Sequence, residues 1–309
     1  SKDPEYAYMF RGRMDERYDL CRAVRDKQFR YIRNYMPYRI YGQNLYYLWL
    51  APSARAWEKA YIDGKCNDFQ RIFWNTKPAE ELYDTENDPW EVHNLAGNPE
   101  YKSVLERMRG ANQEWMLKIK DSGLIPEAQL SELNGGEATY DYMRSDKVPL
   151  ELILEAAEKA TKPDIRDLMV LQSYLKSDLS PIRYWGATGI MMLGGSAVNL
   201  IPDLKELLKD QSDDVVAAAS EALYQLGDKY ACCEGLGKVL QSENPFARLH
   251  ALNIIESRKI NADKIKDDVI AMAKKAGKLT LDNYDHRAAK RLFDLWEIDA
   301  KASGFVISW

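Results

Sequence analysis

Residues 18–26 read YDLCRAVRD and residues 27–35 read KQFRYIRNY. Both runs are rich in β-formers, and their charged and apolar positions interleave, so the pattern predicts two antiparallel strands joined at Asp26-Lys27. The junction lacks the glycine that tight hairpin turns favour. On the second strand Phe29, Tyr31 and Arg33 share one face, while Arg30, Ile32 and Asn34 share the other. Cys21 lies in the first strand, where a small buried thiol suffices, although its spacing leaves pairing with Cys66 open.

Downstream, residues 35–57 are aromatic and carry Pro37, Gly42 and Pro52 with little periodicity. Their first half reads as loop, and residues 53–64 as a helix capped by Ser53 with Trp57 and Tyr61 on one face. A short strand is expected at residues 80–84 (EELYD), followed by an Asn-Asp-Pro turn. Asn98 as N-cap, Pro99 at the first helical position and Glu100 in the first turn then open a helix. Its apolar positions Tyr101, Val104, Leu105, Met108, Trp115 and Ile119 recur at helical spacing, and residues 121–123 (DSG) are read as its end. Strands with one long packed helix make an α+β unit.

From about residue 148 the composition turns to Leu, Ala, Asp and Lys, and a repeat emerges. Residues 182–190 (IRYWGATGI), 215–223 (VVAAASEAL) and 247–255 (ARLHALNII) align at offsets of 33 and 32. Each is preceded by leucines in one register, Leu171 and Leu175, Leu204 and Leu208, Leu236 and Leu240. Polar turns at 176–178, 209–212 and 241–245 separate the paired helices. This is the pattern of a HEAT-like solenoid, in which small residues let successive helices approach closely. Residues 150–160 and 284–296 read as degenerate terminal copies. Pro126, Gly135 and Gly136 interrupt the two patterns, giving an α+β domain over residues 1–135 and an all-α HEAT-like domain over 136–309.

The 309 residues, 46% hydrophobic and 29% charged, have the profile of a folded protein and fit two domains. The apolar stretch that suggests a membrane segment, residues 186–193, is far below the ~18 residues a span requires. A net charge of −5 argues against a general nucleic-acid partner, since phosphate binding needs a basic footprint. Charge is nonetheless uneven: residues 11–39 hold nine Arg and Lys against four acids. Aromatics are uneven too, with 21 of 34 lying before residue 136. The two halves therefore differ in kind. No Cys or His spacing fits zinc, and no signal peptide is visible at the start.

The ordered motifs at residues 13–20 (RMDERYDL), 22–26 (RAVRD), 29–34 (FRYIRN), 81–84 (ELYD), 87–89 (NDP) and 91–96 (EVHNLA) resemble the carboxy-terminal subdomain of the formylglycine-dependent sulfatases, nearest to the heparan N-sulfatase type. The resemblance covers roughly residues 6–125. It implies a four-stranded antiparallel sheet with a helix, packed on a large α/β catalytic domain of the alkaline-phosphatase superfamily that acts on sulfated carbohydrates such as glycosaminoglycans. Formylglycine and calcium are implied for that catalytic domain. The family's nucleophile motif, Cys- or Ser-x-Pro-x-Arg, is not among these residues, because Cys21, Cys66, Cys232 and Cys233 all have other followers. The chain is therefore expected to be a non-catalytic portion, inactive alone, with the missing catalytic domain as its partner. Its start at Ser1 without a methionine is read as a truncation or processing boundary. Family members are often exported, although nothing in these residues shows export.

Arg13, Asp15, Glu16 and Arg17 are the sharpest site candidates. Guanidinium and carboxylate groups beside Gly12 suit charge-assisted bonds to an anionic sugar. The resemblance places them either at the substrate-pocket rim or in a domain interface. Arg22, Arg25, Arg30 and Arg33 are read as a solvated or interface face, and Tyr46, Tyr47, Trp49 and Trp57 as core. Asp213-Asp214 and Asp267-Asp268 read as caps and solvated faces, His250 as a packed or surface residue, and Trp185, at the equivalent position of an earlier copy, as inter-repeat packing. No catalytic residues and no metal ligands are assigned. The alternative reading is a stand-alone interaction module whose HEAT-like face binds a protein partner.

Overall fold

In the computed structural model, residues 4–276, 278–280, 283–299 and 306–308 are described. They divide into two compact units. One holds residues 4–14, 19–123 and 143–151, the other residues 15–18, 124–142 and the described residues from 152 onward. Packing thus exchanges short segments around residues 15–18 and 124–151, whereas the sequence pattern suggests one cut at 135.

The first unit is built on an antiparallel sheet of β1 (Ala7–Arg11), β2 (Cys21–Arg25), β3 (Phe29–Asn34) and β4 (Glu80–Asp84), in sequence order. Both hairpin strands and β4 form where the alternation predicts them, with the turn at residues 26–28. Asp26 replaces the missing glycine: its Oδ1 accepts from the backbone N–H groups of Gln28 (2.9 Å) and Phe29 (2.6 Å). Val24 faces Tyr31 across β2 and β3, and Tyr31 faces Leu82 across β3 and β4.

Between β3 and β4 run three short helices, α1 (Tyr46–Leu50), α2 (Pro52–Ile62) and α3 (Asp68–Ile72). Helix α2 starts two residues earlier than a cap at Ser53 implies. Ala51 is its N-cap and Pro52 occupies the first turn, where a missing N–H costs nothing. Buried Trp74 gathers the aromatics, with Trp49 at 6.1 Å, Trp57 at 5.7 Å and Tyr61 at 5.6 Å between ring centroids. After β4, Asn98 caps a short 3-10 turn that leads into α4 (Lys102–Ile119). This helix ends in left-handed Lys120 (φ 60°), before the DSG segment read as its stop. Its Leu105 and Met108 close the core over Val24, Tyr31 and Leu82. A small antiparallel sheet with a packed helix is therefore the architecture of this unit.

The second unit is helical, with α5 (Glu127–Leu133), α6 (Thr139–Tyr142), α7 (Leu150–Thr161), α8 (Leu168–Tyr174), α9 (Ser180–Leu193), α10 (Ile201–Glu206), α11 (Asp213–Gln225), α12 (Lys229–Leu240), α13 (Pro245–Ser257), α14 (Lys266–Ala276) and α15 (Tyr284–Leu295). Two three-residue strands, β5 (Lys278–Thr280) and β6 (Val306–Ser308), pair in parallel. The three small-residue segments lie in α9, α11 and α13, and all six register leucines are buried. Neighbours pack in sequence order: α8 on α9, α11 on α9, α10 and α12, and α13 on α11, α12 and α15. Gly186 allows the approach of α8, because a Cβ there would lie 2.8 Å from Tyr174 Cβ and 3.2 Å from the Leu171 carbonyl. Arg183 and Arg248, equivalent in the repeat, make equivalent bonds. Each donates to the carbonyl six residues before it (Ser177, 2.7 Å; Ser242, 2.8 Å) and to a later carboxylate (Asp210, 2.6 Å; Asp285, 2.8 Å).

Candidate functional site

Residues 15–18 group with the helical unit, whereas Arg13 groups with the sheet unit. Asp15 takes a left-handed backbone (φ 50°), which turns Glu16 inward. Both carboxylates meet one guanidinium: Arg287 Nη1 lies 3.1 Å from Asp15 and 3.5 Å from Glu16. Glu16 is buried, and its carbonyl also accepts from Asn253 Nδ2 at 3.1 Å. Arg13 and Arg17 are half-buried. Two of the four predicted residues are thus brought together by an arginine from α15 that sequence reasoning passed over, since it lies 271 positions from Glu16. Charge neutralisation and positioning are what this arrangement does.

The sheet unit carries a second polar cluster at the Cys21 end of β2. Lys77 donates to both oxygens of Asp19 (2.9 and 3.1 Å), and Arg11 joins the same carboxylate at 3.1 Å. The side chains of Lys77 and Asp19 are fully buried, and burial pulls the lysine ammonium below its ordinary range. Burial, and then the charge of Asp19, push the Cys21 thiol up to about 12, so this cysteine is not a nucleophile at neutral pH. Its Sγ donates to Asn34 Oδ1 at 3.0 Å. Glu81 accepts from Asn34 Nδ2 (2.6 Å), Tyr41 OH (2.7 Å) and Tyr83 OH (2.6 Å). Desolvation and that carboxylate raise both phenols well above their usual range. All four cysteines are free, so the Cys21–Cys66 pairing that the spacing left open does not form.

The hairpin arginines separate into two kinds, contrary to their reading as one solvated or interface face. Arg22 is buried and forks onto Asp121, with Nη2 at 2.7 Å from Oδ1 and Nε on the other oxygen. Arg33 is buried as well, donating to the carbonyls of Asn34 and Ala79 and lying over the Tyr35 ring at 4.7 Å. Arg25 and Arg30, at the turn end, reach the segment after β4 instead. Arg25 donates to Thr85 Oγ1 at 3.1 Å and Arg30 to Glu91 at 2.9 Å.

In the helical unit Asp214 is buried, not solvated as its place in an acidic pair suggests. It accepts from the Gln129 backbone N–H at 3.1 Å and lies 2.7 Å from His250 Nδ1. His250 is packed, as expected. Trp185, read as inter-repeat packing, is buried and donates its indole N–H to the Leu124 carbonyl at 2.9 Å, outside the three copies. Cys233, half-exposed, is drawn down to about 7 by the hydrogen bond from its neighbour Cys232. Among the described residues no three His, Cys, Asp or Glu side chains come together in a way that could hold a metal ion. No described helix is long and apolar enough to cross a membrane.

No protein-family model matches the chain. Over 152 residues it is 36% identical to an ulvan-active sulfatase of Formosa agariphila, a match covering 48% of this chain and 26% of that protein. A second match, also named an ulvan-active sulfatase of Formosa agariphila, is 36% identical over 95 residues, 31% of this chain and 17% of that protein. About half of the chain is thus related to a sulfatase, while the chain spans about a quarter or less of the length of these curated relatives.

Proposed function

We propose that this chain is the carboxy-terminal, non-catalytic part of a sulfatase whose longer form hydrolyses sulfate esters or sulfamates on an anionic polysaccharide. The observation that carries the reading is the 36% identity over 152 residues to an ulvan-active sulfatase. The four-stranded sheet closed by α4 supports it, because the resembling segments at residues 22–26, 29–34 and 81–84 fall on β2, β3 and β4. In this reading a catalytic domain supplies formylglycine and calcium. Arg13, Asp15, Glu16 and Arg17 then complete the rim of its pocket or hold the interface to it. Helices α8–α15 are read as a HEAT-like solenoid, supported by the matched bonds of Arg183 and Arg248.

A second reading, an interaction module acting by itself, is favoured by one pattern. Ile165, Val198 and Tyr230 occupy equivalent repeat positions and are all exposed, at 54%, 53% and 83%. Assay of the chain with a sulfated chromogenic substrate and calcium separates the two from an enzyme outright: no hydrolysis is expected, and turnover would sink both. Joined to an α/β segment bearing Cys- or Ser-x-Pro-x-Arg, the chain should support sulfate release from ulvan. Release that is unchanged when residues 1–135 are deleted from the longer protein would refute the sulfatase reading.

A further inference from the structure

Trp90 is the most exposed large apolar side chain among the described residues, at 86%. It stands on a tightly held loop. Asp84 accepts from the backbone N–H groups of Glu86 and Asn87 (both 3.2 Å), from Asn87 Nδ2 (2.9 Å) and from Gln28 Nε2 (2.9 Å). Asp88 accepts from the His93 N–H at 2.8 Å, and Asn94 Oδ1 from the Leu82 N–H at 3.0 Å. Next to the indole, Glu91 takes a left-handed backbone (φ 53°) and is paired to Arg30. Such a conformation persists only where surrounding bonds enforce it. A bulky indole is therefore presented to solvent by a preorganised loop, so ordering a ligand on it costs little further entropy.

The loop is tied to the turn end of the hairpin through Arg25–Thr85 and Arg30–Glu91. Arg25 and Lys27 are exposed there, Arg30 keeps a third of its side chain accessible, and His93 is exposed within the loop. Glu86 is the exposed acid of the loop, and Asp88 and Glu91 are mostly covered. The loop that carries Trp90 is thus bonded to the turn that carries these cations, and an aromatic ring together with cations is the chemistry that recognises an acidic sugar: the ring packs on the C–H face of the pyranose, and the cations meet its sulfate or carboxylate.

We propose that Trp90, with Arg25 and Lys27, forms a surface site for an anionic polysaccharide chain. The inference rests on the reading of the chain as part of a polysaccharide sulfatase, and it assigns this site a holding role without chemistry. Its test is affinity electrophoresis of the 309-residue chain in gels containing ulvan, dextran sulfate or neutral dextran. Ulvan should retard the chain and neutral dextran should not. Trp90→Ala should weaken ulvan binding about tenfold with an unchanged melting temperature, and Trp90→Tyr should restore most of it. Arg25→Gln with Lys27→Gln should weaken binding and flatten its dependence on salt. Binding that ignores Trp90, or equal mobility in ulvan and neutral dextran, overturns the proposal. Retardation is read without turnover. Failure here therefore leaves the sulfatase reading standing, and an inactive longer protein that still binds ulvan through Trp90 leaves this site standing.

Discussion

Arg22 shows how much a single side chain depends on remote chain. Its alternating place in the hairpin marks a face of β2, but its burial is set by Asp121, 99 residues away, whose carboxylate it grips with both side-chain arms. Removing one partner of such a pair leaves the other charge buried and unpaired. Arg22→Ala is expected to cost about 3–5 kcal/mol, read by urea denaturation, while the exposed Arg25→Ala should stay within about 0.5 kcal/mol. Asp84 gives a pH test. The Asn87 amide, helped by Gln28 and two backbone N–H groups, holds its carboxyl below the unfolded value of 3.8. A depressed carboxylate stabilises the fold above 3.8, and this contribution is lost as pH falls through the lower folded value. The stability difference between wild type and Asp84→Asn should therefore be full at pH 6 and shrink below pH 3.8. A difference independent of pH would show that the ionised form is not what the loop requires.

At the scale of elements, local signals located most of what they could specify. The strand at Glu80–Asp84 forms where expected, and the capping chemistry at Asn98-Pro99 opens a 3-10 turn there, with the long helix itself beginning at Lys102. The helix end did not follow the DSG signal, because left-handed Lys120 closes α4 with its own backbone bonds to Met116 and Leu117. Ser53 yielded its capping place to Ala51 because Pro52 fits the first turn better. In the helical unit the small residues follow from contact distance. Alanine is the better helix former by about 1 kcal/mol, yet at Gly186 its Cβ would meet Tyr174 Cβ at 2.8 Å, and overpacking costs about 1–3 kcal/mol. Gly186→Ala should therefore lower the melting temperature. Gly110→Ala in α4, where nothing lies within 4 Å, should raise it or leave it unchanged. Equal effects at the two sites would mean that propensity, not packing, decides.

Across the whole molecule, two units with separate cores and different chemistry make a single two-state transition unexpected. Five of the eight tryptophans, Trp49, Trp57, Trp74, Trp90 and Trp115, belong to the sheet unit, whereas most helix lies in the other. Tryptophan fluorescence and far-ultraviolet circular dichroism should thus give distinct midpoints in urea, and superimposable curves would show that the units unfold together. The sequence by itself determined the strands of the hairpin, β4, the capped helix and the 33-residue recurrence, because each is written in side-chain periodicity over a few neighbouring residues. Tertiary structure alone decided which charges are paired: Arg22 with Asp121, Lys77 with Asp19, Asp15 and Glu16 with Arg287. Ion pairs are made between residues far apart in the chain, and a buried charge is stable only where the fold brings its partner within bonding distance.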